Sequence, residues 1–401
     1  MLGIIDINDR ARTANTLLEV MEKMGITTGE VMEESSFKGL FNSIFSGDSV
    51  LLIDGCNKCI AIGTKGWQDR GIGYPVNEPN NNGPQEAFNE TLRTNTSLIR
   101  RKIKHENLRI ESVVVGKFTK TEVNVVYIKG TASDDIVKEV KSRLNKIKME
   151  GIMDSAYIER AIDDKHMKTF PTILSTERPD YLSVKLLEGR VGIIVDGSPF
   201  VLFVPVFFSD IFKSTSDYYS NAGVQYFMIG LRYISLLIGV FLTSVYIALI
   251  SFHPVIIPTS LQVNIIAEYS LIVLPLPLEI IILLLFFEIL KEASFRLPVL
   301  TSVAILLVGG LIISQSIVEA KLGSNVIIII VGLTIVASYT FVKPCISNAI
   351  RNFRIAFVLL SSFLGLYGIA IGVLFIVGHI SGLTSMGTTY LSNKYKSHGT
   401  Q

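Results

Sequence analysis

Two glutamates of the C-terminal half lie in or beside apolar runs, where an ionised side chain is costly unless it faces protein or water. Glu279 has apolar residues on both sides, and Glu319 closes a long apolar run. Such carboxylates commonly mark an ion path, and a ring of them, one per subunit, favours cations. The alternatives are a solvent-exposed membrane edge for Glu319 and, for Glu279, a structural hydrogen bond to backbone freed by Pro275 and Pro277.

A second group of residues suits either a pore lining or the close packing of helices. Ser314, Gln315 and Ser316 form a polar cluster near the end of an apolar run. They line a pore in one interpretation and hydrogen-bond between helices in the other. Small residues and prolines let helices approach closely or bend, and the candidates for packing or hinge positions are Pro275, Pro277, Gly309, Gly310, Gly368 and Gly372.

Basic side chains of one predicted helix in the N-terminal half suit a contact between subunits. Pro84, just ahead of Gln85 and Glu86, predicts the first turn of a helix that runs to about Lys104. Arginines there favour bidentate pairs with carboxylates of a neighbouring subunit, and the alternative is a solvated helix face. The subunit-contact candidates are Arg93, Asn95, Arg100 and Arg101.

The rest of the sequence offers little to catalysis or metal binding. Cys56 and Cys59 have a spacing that suits zinc or redox chemistry, but no second cysteine pair or nearby histidine completes a site. The five histidines are scattered, and Gly-x-Ser-x-Gly, P-loop and dinucleotide-binding motifs do not occur. We therefore expect no catalytic, cofactor or metal site and a protein that is not an enzyme.

Charge distribution divides the 401 residues into two parts. The chain is 49% hydrophobic with a mean hydropathy of +0.46, and only nine of its 37 basic and five of its 35 acidic residues follow residue 225. A formal net charge of +2 without a basic block gives no footprint for nucleic acid. The first ten residues include acidic side chains and do not have a signal-peptide pattern, so we expect the front part to be cytoplasmic.

Periodicity predicts an α+β cytoplasmic N-terminal domain followed by an all-α polytopic transmembrane domain. The predicted soluble elements are amphipathic helices over 12–45, a hairpin turning at Asp54-Gly55, strands over 111–116 and 122–128, helices over 133–147 and 181–187, and two strands within 190–205. About five spans are expected, with the second broken or re-entrant: 227–252, 271–290, 298–318, 325–342 and 353–377.

The distribution of flanking charges predicts how these spans are oriented. Six basic residues flank the inner side and three the outer side if the N-terminus is inside, which favours an outer C-terminus. Glu288, Lys291, Glu292 and Arg296 are expected to share one short loop and pair locally. The predicted segments are a short N-terminal subdomain over 1–70, an α+β subdomain over 71–225, the helical domain over 226–385 and a polar tail over 386–401.

Many short strings, in one order, resemble the A subunit of GerA-type spore germination receptors, from about residue 48 to 385. The strings of the front part are Gly83-Pro84-Gln85-Glu86-Ala87-Phe88, Glu90-Thr91-Leu92-Arg93-Thr94-Asn95, Leu98-Ile99-Arg100-Arg101, Phe170-Pro171, Glu177-Arg178-Pro179-Asp180, Asp196-Gly197-Ser198-Pro199-Phe200 and Asp217-Tyr218-Tyr219. Those of the back part are Ile257-Pro258-Thr259-Ser260-Leu261, Pro275-Leu276-Pro277 with Glu279, Phe287-Glu288-Ile289-Leu290-Lys291-Glu292-Ala293, Arg296-Leu297-Pro298 and Gln315-Ser316-Ile317-Val318-Glu319-Ala320. The sequence departs from the family at Thr389-Tyr390 and Ser220, and the resemblance implies either a shortened first subdomain or an atypical start.

The resemblance implies a subunit of a nutrient receptor in the inner spore membrane. It implies a permease-like B subunit and a lipoprotein C subunit as partners, and a homo-oligomer of A subunits that forms a nutrient-gated channel for monovalent cations. The alternatives are a non-conducting scaffold or signalling subunit and a secondary transporter, although no paired halves typical of inverted repeats are detected. A scaffold would tolerate Glu279→Gln, whereas a pore would not.

Overall fold

The structure is a computed structural model that describes residues 31–45, 47–52, 58–62, 70–164, 169–269, 272–341 and 343–392. The chain forms two compact units, Met1–Asp69 and Arg70–Gln401. In the smaller unit, helix α1 accompanies a three-stranded antiparallel sheet of order β1-β3-β2. Its elements are β1 Val31–Glu34, α1 Phe37–Phe45, β2 Ser49–Leu52 and β3 Cys59–Ile62.

Of the elements predicted in the smaller unit, one helix is confirmed and one segment is a strand instead. A helix over Phe37–Phe45 is confirmed, but Val31–Glu34 is a strand rather than a helix because it pairs with Cys59–Ile62. The turn at Asp54-Gly55 and most of the helix predicted over 12–45 lie outside the described residues, as does Cys56.

An antiparallel five-stranded sheet of order β4-β5-β7-β8-β6 organises the α+β part of the larger unit. The predicted strand pairs and the helices near residues 134 and 181 are confirmed. The elements are α2 Leu92–Lys102, β4 Leu108–Val115, β5 Thr121–Ile128, α3 Asp134–Lys146, α4 Ser155–Ile162, β6 Leu174–Thr176, α5 Pro179–Leu187, β7 Val191–Val195 and β8 Val201–Val204.

Side chains of the central strands alternate between two hydrophobic cores. Val123 and Val125 of β5 face α3 and α4, whereas Val126 and Ile128 face α2 and α5. This period of two is what a strand buried on both faces requires. The second core extends beyond the sheet into the helical part, where Phe353 belongs to the same cluster.

The helix predicted to begin at Pro84 begins instead at Leu92. Residues just before it are held in another conformation by distant backbone groups, because Ala87 N donates to Gly73 O at 2.9 Å and Phe88 N donates to Glu177 O at 2.8 Å. Tertiary hydrogen bonds therefore override the local helix signal.

Two short 3-10 helices, Phe208–Phe212 and Thr215–Tyr219, lead from the sheet into the helical part. Glu288, Lys291 and Glu292, predicted in a loop, lie on helix α8, and Arg296 directly follows that helix; of the expected local pairs, Glu292–Arg296 is present. The helices are α6 Ala222–Phe252, α7 Thr259–Tyr269, α8 Leu276–Phe295, α9 Val299–Glu319, α10 Asn325–Ser338 and α11 Pro344–Ser381.

Helix α11 folds back on itself at Gly365, which has φ +59° and ψ −136°. In a straight helix the 26 steps from Phe353 to His379 would span about 39 Å. Their ring centroids are only 6.4 Å apart, and Phe357 lies against Gly372. The predicted single span over 353–377 is therefore two antiparallel halves, residues 344–364 and 366–381.

The fold-back returns the chain to the α+β part, where β9 Thr384–Ser385 and β10 Thr388–Thr389 form a small hairpin. Ser385 Oγ donates to Thr172 O at 2.6 Å, and the buried Tyr390 donates its hydroxyl to Pro171 O at 2.7 Å. The prediction of an outer C-terminal segment with an inner α+β part is therefore wrong for residues 384–390. The end of the described chain lies on the side of the sheet because α11 turns at Gly365.

Three helices of the described residues are long and apolar enough to cross a membrane: Ala222–Phe252, Thr301–Glu319 and Cys345–Ser381. Length alone counts the last as one span, although Gly365 divides it. Asn325–Ser338 is a shorter apolar helix. The count of five spans stays a prediction.

Candidate functional site

A buried ion pair at the start of α5 joins segments that are far apart in the sequence. Arg178 is fully buried and forms two hydrogen bonds with Asp180, at 2.9 and 3.2 Å. The same guanidinium donates to Pro84 O at 2.7 Å and to Glu78 O at 3.2 Å. A planar group with five donors suits this task, since two donors bind the carboxylate and others reach backbone carbonyls.

The loop before α2, which includes residues 77–83, is held by contacts with Glu177 and Tyr219. Glu177 Oε1 accepts the backbone N–H groups of Asn77 at 2.5 Å and Glu78 at 2.6 Å. Tyr219 donates to Asp180 at 2.7 Å, and burial and this bond raise the pKa of Tyr219 above its usual value. Gly83 has φ +93°, and a Cβ there would lie 2.7 Å from the Tyr219 ring. This loop therefore depends on residues about a hundred positions later in the chain.

A second buried cluster surrounds Asp210 at the end of the sheet. Its carboxylate lies 3.2 Å from Lys185 Nζ and 3.1 Å from Arg190 Nη2, and it accepts from Phe207 N at 2.9 Å. Burial alone would raise the pKa of Asp210, but the two cations outweigh it and lower the pKa below its usual range. The carboxylate stays charged at neutral pH.

Two further ion pairs tie the α+β part to the helices. Arg232 of α6 forms a bidentate pair with Asp217, at 2.6 and 3.0 Å. Lys343, just before α11, lies 3.3 Å from Glu78 and donates to the carbonyl of Ser175. Both helices that start at the sheet are therefore anchored by charged groups.

Glu279 is 1% exposed near the start of α8. Its Oε1 accepts from Ser324 N at 2.5 Å, whereas Oε2 has no hydrogen-bond partner among the described residues. Pro275 and Pro277 begin α8 rather than break it. The structural bond expected for this carboxylate exists, but its donor is the N-terminus of α10 and not backbone freed by the prolines.

The other candidates of the back part lie on separate surfaces. Glu319 and Gln315 are exposed on α9, and Ser314 donates back to Leu311 O at 2.9 Å. A Cβ on Gly309 would lie 3.2 Å from Leu290, while one on Gly310 would contact nothing within 4 Å.

Gly368 and Gly372 lie where the halves of α11 meet. A Cβ on Gly368 would overlap the Leu360 carbonyl, and one on Gly372 would overlap Phe357. Both positions therefore need a side chain no larger than hydrogen for this close approach.

The front-part candidates separate by burial. Arg93, Arg100 and Arg101 are exposed on α2, and Arg101 pairs with Glu86. Asn95 is fully buried, accepting from Asn89 N at 2.9 Å and donating to Asn89 O at 2.6 Å. Asn95 thus fixes the turn before the helix instead of offering a subunit contact.

Sequence reasoning missed the contacts of Glu288, which lies 3.1 Å from Arg351 and 3.6 Å from Arg354 on α11. The signal available was the presence of both arginines in the flank of an apolar run. The described part of the chain contains no group of three or more His, Cys, Asp or Glu side chains able to hold a metal ion.

Comparison with known proteins places these features in a family. The family model described as Bacillus/Clostridium GerA spore germination protein matches residues 4–400. Spore germination protein KA of Bacillus subtilis is 37% identical over 96% of this chain and 71% of its own length. Spore germination protein GerLA of Bacillus cereus is 34% identical over 96% and 77%.

A solved structure also matches. It is the N-terminal domain of the A subunit of the Bacillus megaterium spore germinant receptor GerK3, which is 38% identical over 51% of this chain and 71% of that domain chain, with a TM-score of 0.26. The family match over nearly the whole length means that this chain belongs to the GerA family of spore germination proteins.

Proposed function

We propose that this chain is the A subunit of a nutrient receptor that triggers spore germination. Its family membership and the names of its relatives support this assignment. Three apolar helices suit the inner membrane of the spore, with the α+β part in the cytoplasm. The partners we propose are a permease-like B subunit, a lipoprotein C subunit and further copies of the A subunit.

We further propose that the helical part contributes to a nutrient-gated path for monovalent cations. The observation that carries this proposal is Glu279, a carboxylate 1% exposed between apolar helices with one oxygen unpartnered among the described residues. A buried carboxylate oxygen without a donor attracts a cation or a proton. Nutrient binding on a partner opens the path only if the two states of that partner contact this chain differently.

The test is the release of monovalent cations from spores that carry Glu279→Gln. We expect release on nutrient addition to fall towards the level without nutrient, while immunoblots show normal subunit amounts and a nutrient-independent germinant still works. Glu292→Gln is the matched control, since Glu292 lies on the same helix, is exposed and pairs only locally with Arg296.

The second candidate function is a scaffold that assembles the receptor and conducts nothing. The bond from Ser324 N to Glu279 favours it, because that contact gives one oxygen of the carboxylate a structural role. Equal ion release from the wild type and Glu279→Gln would support the scaffold and refute the conducting role.

A further inference from the structure

Three basic side chains and one carboxylate line a small cavity between α8, α10 and the first half of α11. Glu288 pairs with Arg351 at 3.1 Å and lies 3.6 Å from Arg354. Lys291, one turn after Glu288, also lines the cavity, with its ammonium 5.6 Å from the centre of the Tyr339 ring. One carboxylate faces three cations, so the cavity has a net positive charge.

Arg354 is the innermost of these cations and is 3% exposed. Its Nη1 donates to Ser338 Oγ at 3.1 Å, but its Nε has no hydrogen-bond partner among the described residues. A buried donor without an acceptor is costly, and more so when it is charged. Because Arg354 lines the cavity, an anion bound there is a candidate acceptor for this N–H group.

The surroundings of the cavity suit an anion that carries an apolar chain. Arg351 is 35% exposed and Tyr339 is exposed at the cavity mouth. Leu333 and Val336, also exposed, continue from Tyr339 along α10 at intervals of three residues. Because α10 ends near Lys343, which contacts the α+β part, this apolar row leads from the mouth towards the interior of the helical region.

We propose that this cavity binds the phosphate group of an anionic phospholipid from the leaflet next to the α+β part. Arg351 and Lys291 supply charge at the mouth, and Arg354 donates from behind. Arginine matches phosphate oxygens in pairs, and basic pockets between membrane helices on the cytoplasmic side suit lipid headgroups. The proposal concerns lipid binding and stands whether or not the helices conduct ions.

The experiment uses the full-length chain in detergent and native mass spectrometry with added phosphatidylglycerol. At lipid concentrations well below saturation, Arg351→Gln should lower the bound fraction about fivefold, the effect of one basic residue at an anionic surface. Glu288→Gln should raise it, because it removes the competing carboxylate and leaves all three cations. Arg296→Gln is the control and should bind as the wild type does, since Arg296 is exposed and pairs only with Glu292.

The opposite signs expected for Arg351→Gln and Glu288→Gln separate an anion site from a structural cluster, since both variants break the same ion pair. If both lower binding equally, or if Arg296→Gln lowers it as much as Arg351→Gln, the proposal is refuted. Unchanged binding by Arg351→Gln also refutes it. Added inorganic phosphate distinguishes the sources: displacement at millimolar concentration assigns the site to free phosphate, and no displacement assigns it to the lipid.

Discussion

At the scale of single residues, buried charged side chains of the α+β part join segments that are far apart in the sequence. Asp210 contacts Lys185 of α5 and Arg190, which directly precedes β7, and its removal would leave Arg190 without a carboxylate partner in the described part of the core, although Lys185 would keep Glu188. Breaking a buried pair in this way is strongly destabilising, by about 3–5 kcal/mol. These clusters therefore report on the integrity of the whole α+β part.

Asp210 makes the stability depend on pH. Its folded pKa lies below the unfolded value, so its contribution is present above about pH 3.9 and is lost as the pH falls through the folded pKa. We expect Asp210→Asn to lower the melting temperature of the full chain in detergent at pH 7, by a difference that shrinks towards pH 3.

Scanning fluorimetry between pH 3 and pH 7 measures this difference. Glu106→Gln is the control, because Glu106 is exposed and a surface change of this kind alters stability by about 0.5 kcal/mol or less. A difference between Asp210→Asn and the wild type that stays constant across the range would contradict the role assigned to the charged carboxylate.

The sequence identified single functional residues only where the neighbouring residues made them unusual. Glu279 was identifiable because a carboxylate among apolar residues is rare. The partners of Asp210 and of Glu288 were not, because they lie 20 to 66 positions away and nothing in the local pattern pairs them. Asn95 was misjudged as a surface residue, since a polar side chain on a helix gives no sign of being buried against its own preceding turn.

At the scale of elements, the turn at Gly365 decides the course of the last helix. Its φ of +59° with ψ of −136° is a conformation that glycine reaches easily and other residues do not. A Cβ there would also lie 2.8 Å from Phe252 at the end of α6. Both backbone and space therefore require glycine.

We expect Gly365→Ala to destabilise the chain by about 1–3 kcal/mol, the usual cost of such a backbone conformation. Gly378→Ala in the second half of the same helix is the matched control, because nothing lies within 4 Å of its added Cβ and alanine favours a helix by up to about 1 kcal/mol. Thermal unfolding of the purified full chain compares them. Equal melting temperatures for the two variants would show that Gly365 tolerates a side chain.

Elements with a clear period were predictable, and those shaped by distant contacts were not. The helix Asp134–Lys146 and the strands around residues 111 and 122 follow their hydrophobic patterns. The fold-back at Gly365 was not visible, because glycine within an apolar run is compatible with a continuous membrane helix. Packing between the two halves of α11 and against α6 selects the turn.

At the scale of the whole molecule, both ends of the helical part lie beside the α+β part. Helix α6 is bound to the α+β part through the ion pair of Arg232 with Asp217. At the other end, residues 384–390 pack against the α+β part. We therefore expect an even number of membrane passages between these two points, which the predicted count of five spans does not give. The basic residues that flank the spans could not show that the number of passages is even. Each flank can be assigned to the inner or the outer side of the membrane only once that number is known.

Cysteine labelling tests this topology. In a chain whose three cysteines are replaced by serine, a membrane-impermeant maleimide should label Val114→Cys and Leu391→Cys from the same side of oriented vesicles. Val255→Cys, beyond the end of α6, should be labelled only from the other side. All three positions are exposed in the chain. Labelling of Leu391→Cys from the side of Val255→Cys would contradict the return of the C-terminal segment.

The packing of Tyr390 against the core also bears on how the protein is made. Tyr390 bonds to Pro171, which the ribosome adds 219 residues earlier, a delay of roughly 10 to 40 seconds at usual rates of synthesis. During that interval the rings of Phe170 and Phe208 lack the cover that Phe353 and Tyr390 later provide. The core of the α+β part is therefore fully covered only after the last helix has been synthesised, so that the packing of the helical part becomes a step in the folding of the α+β part.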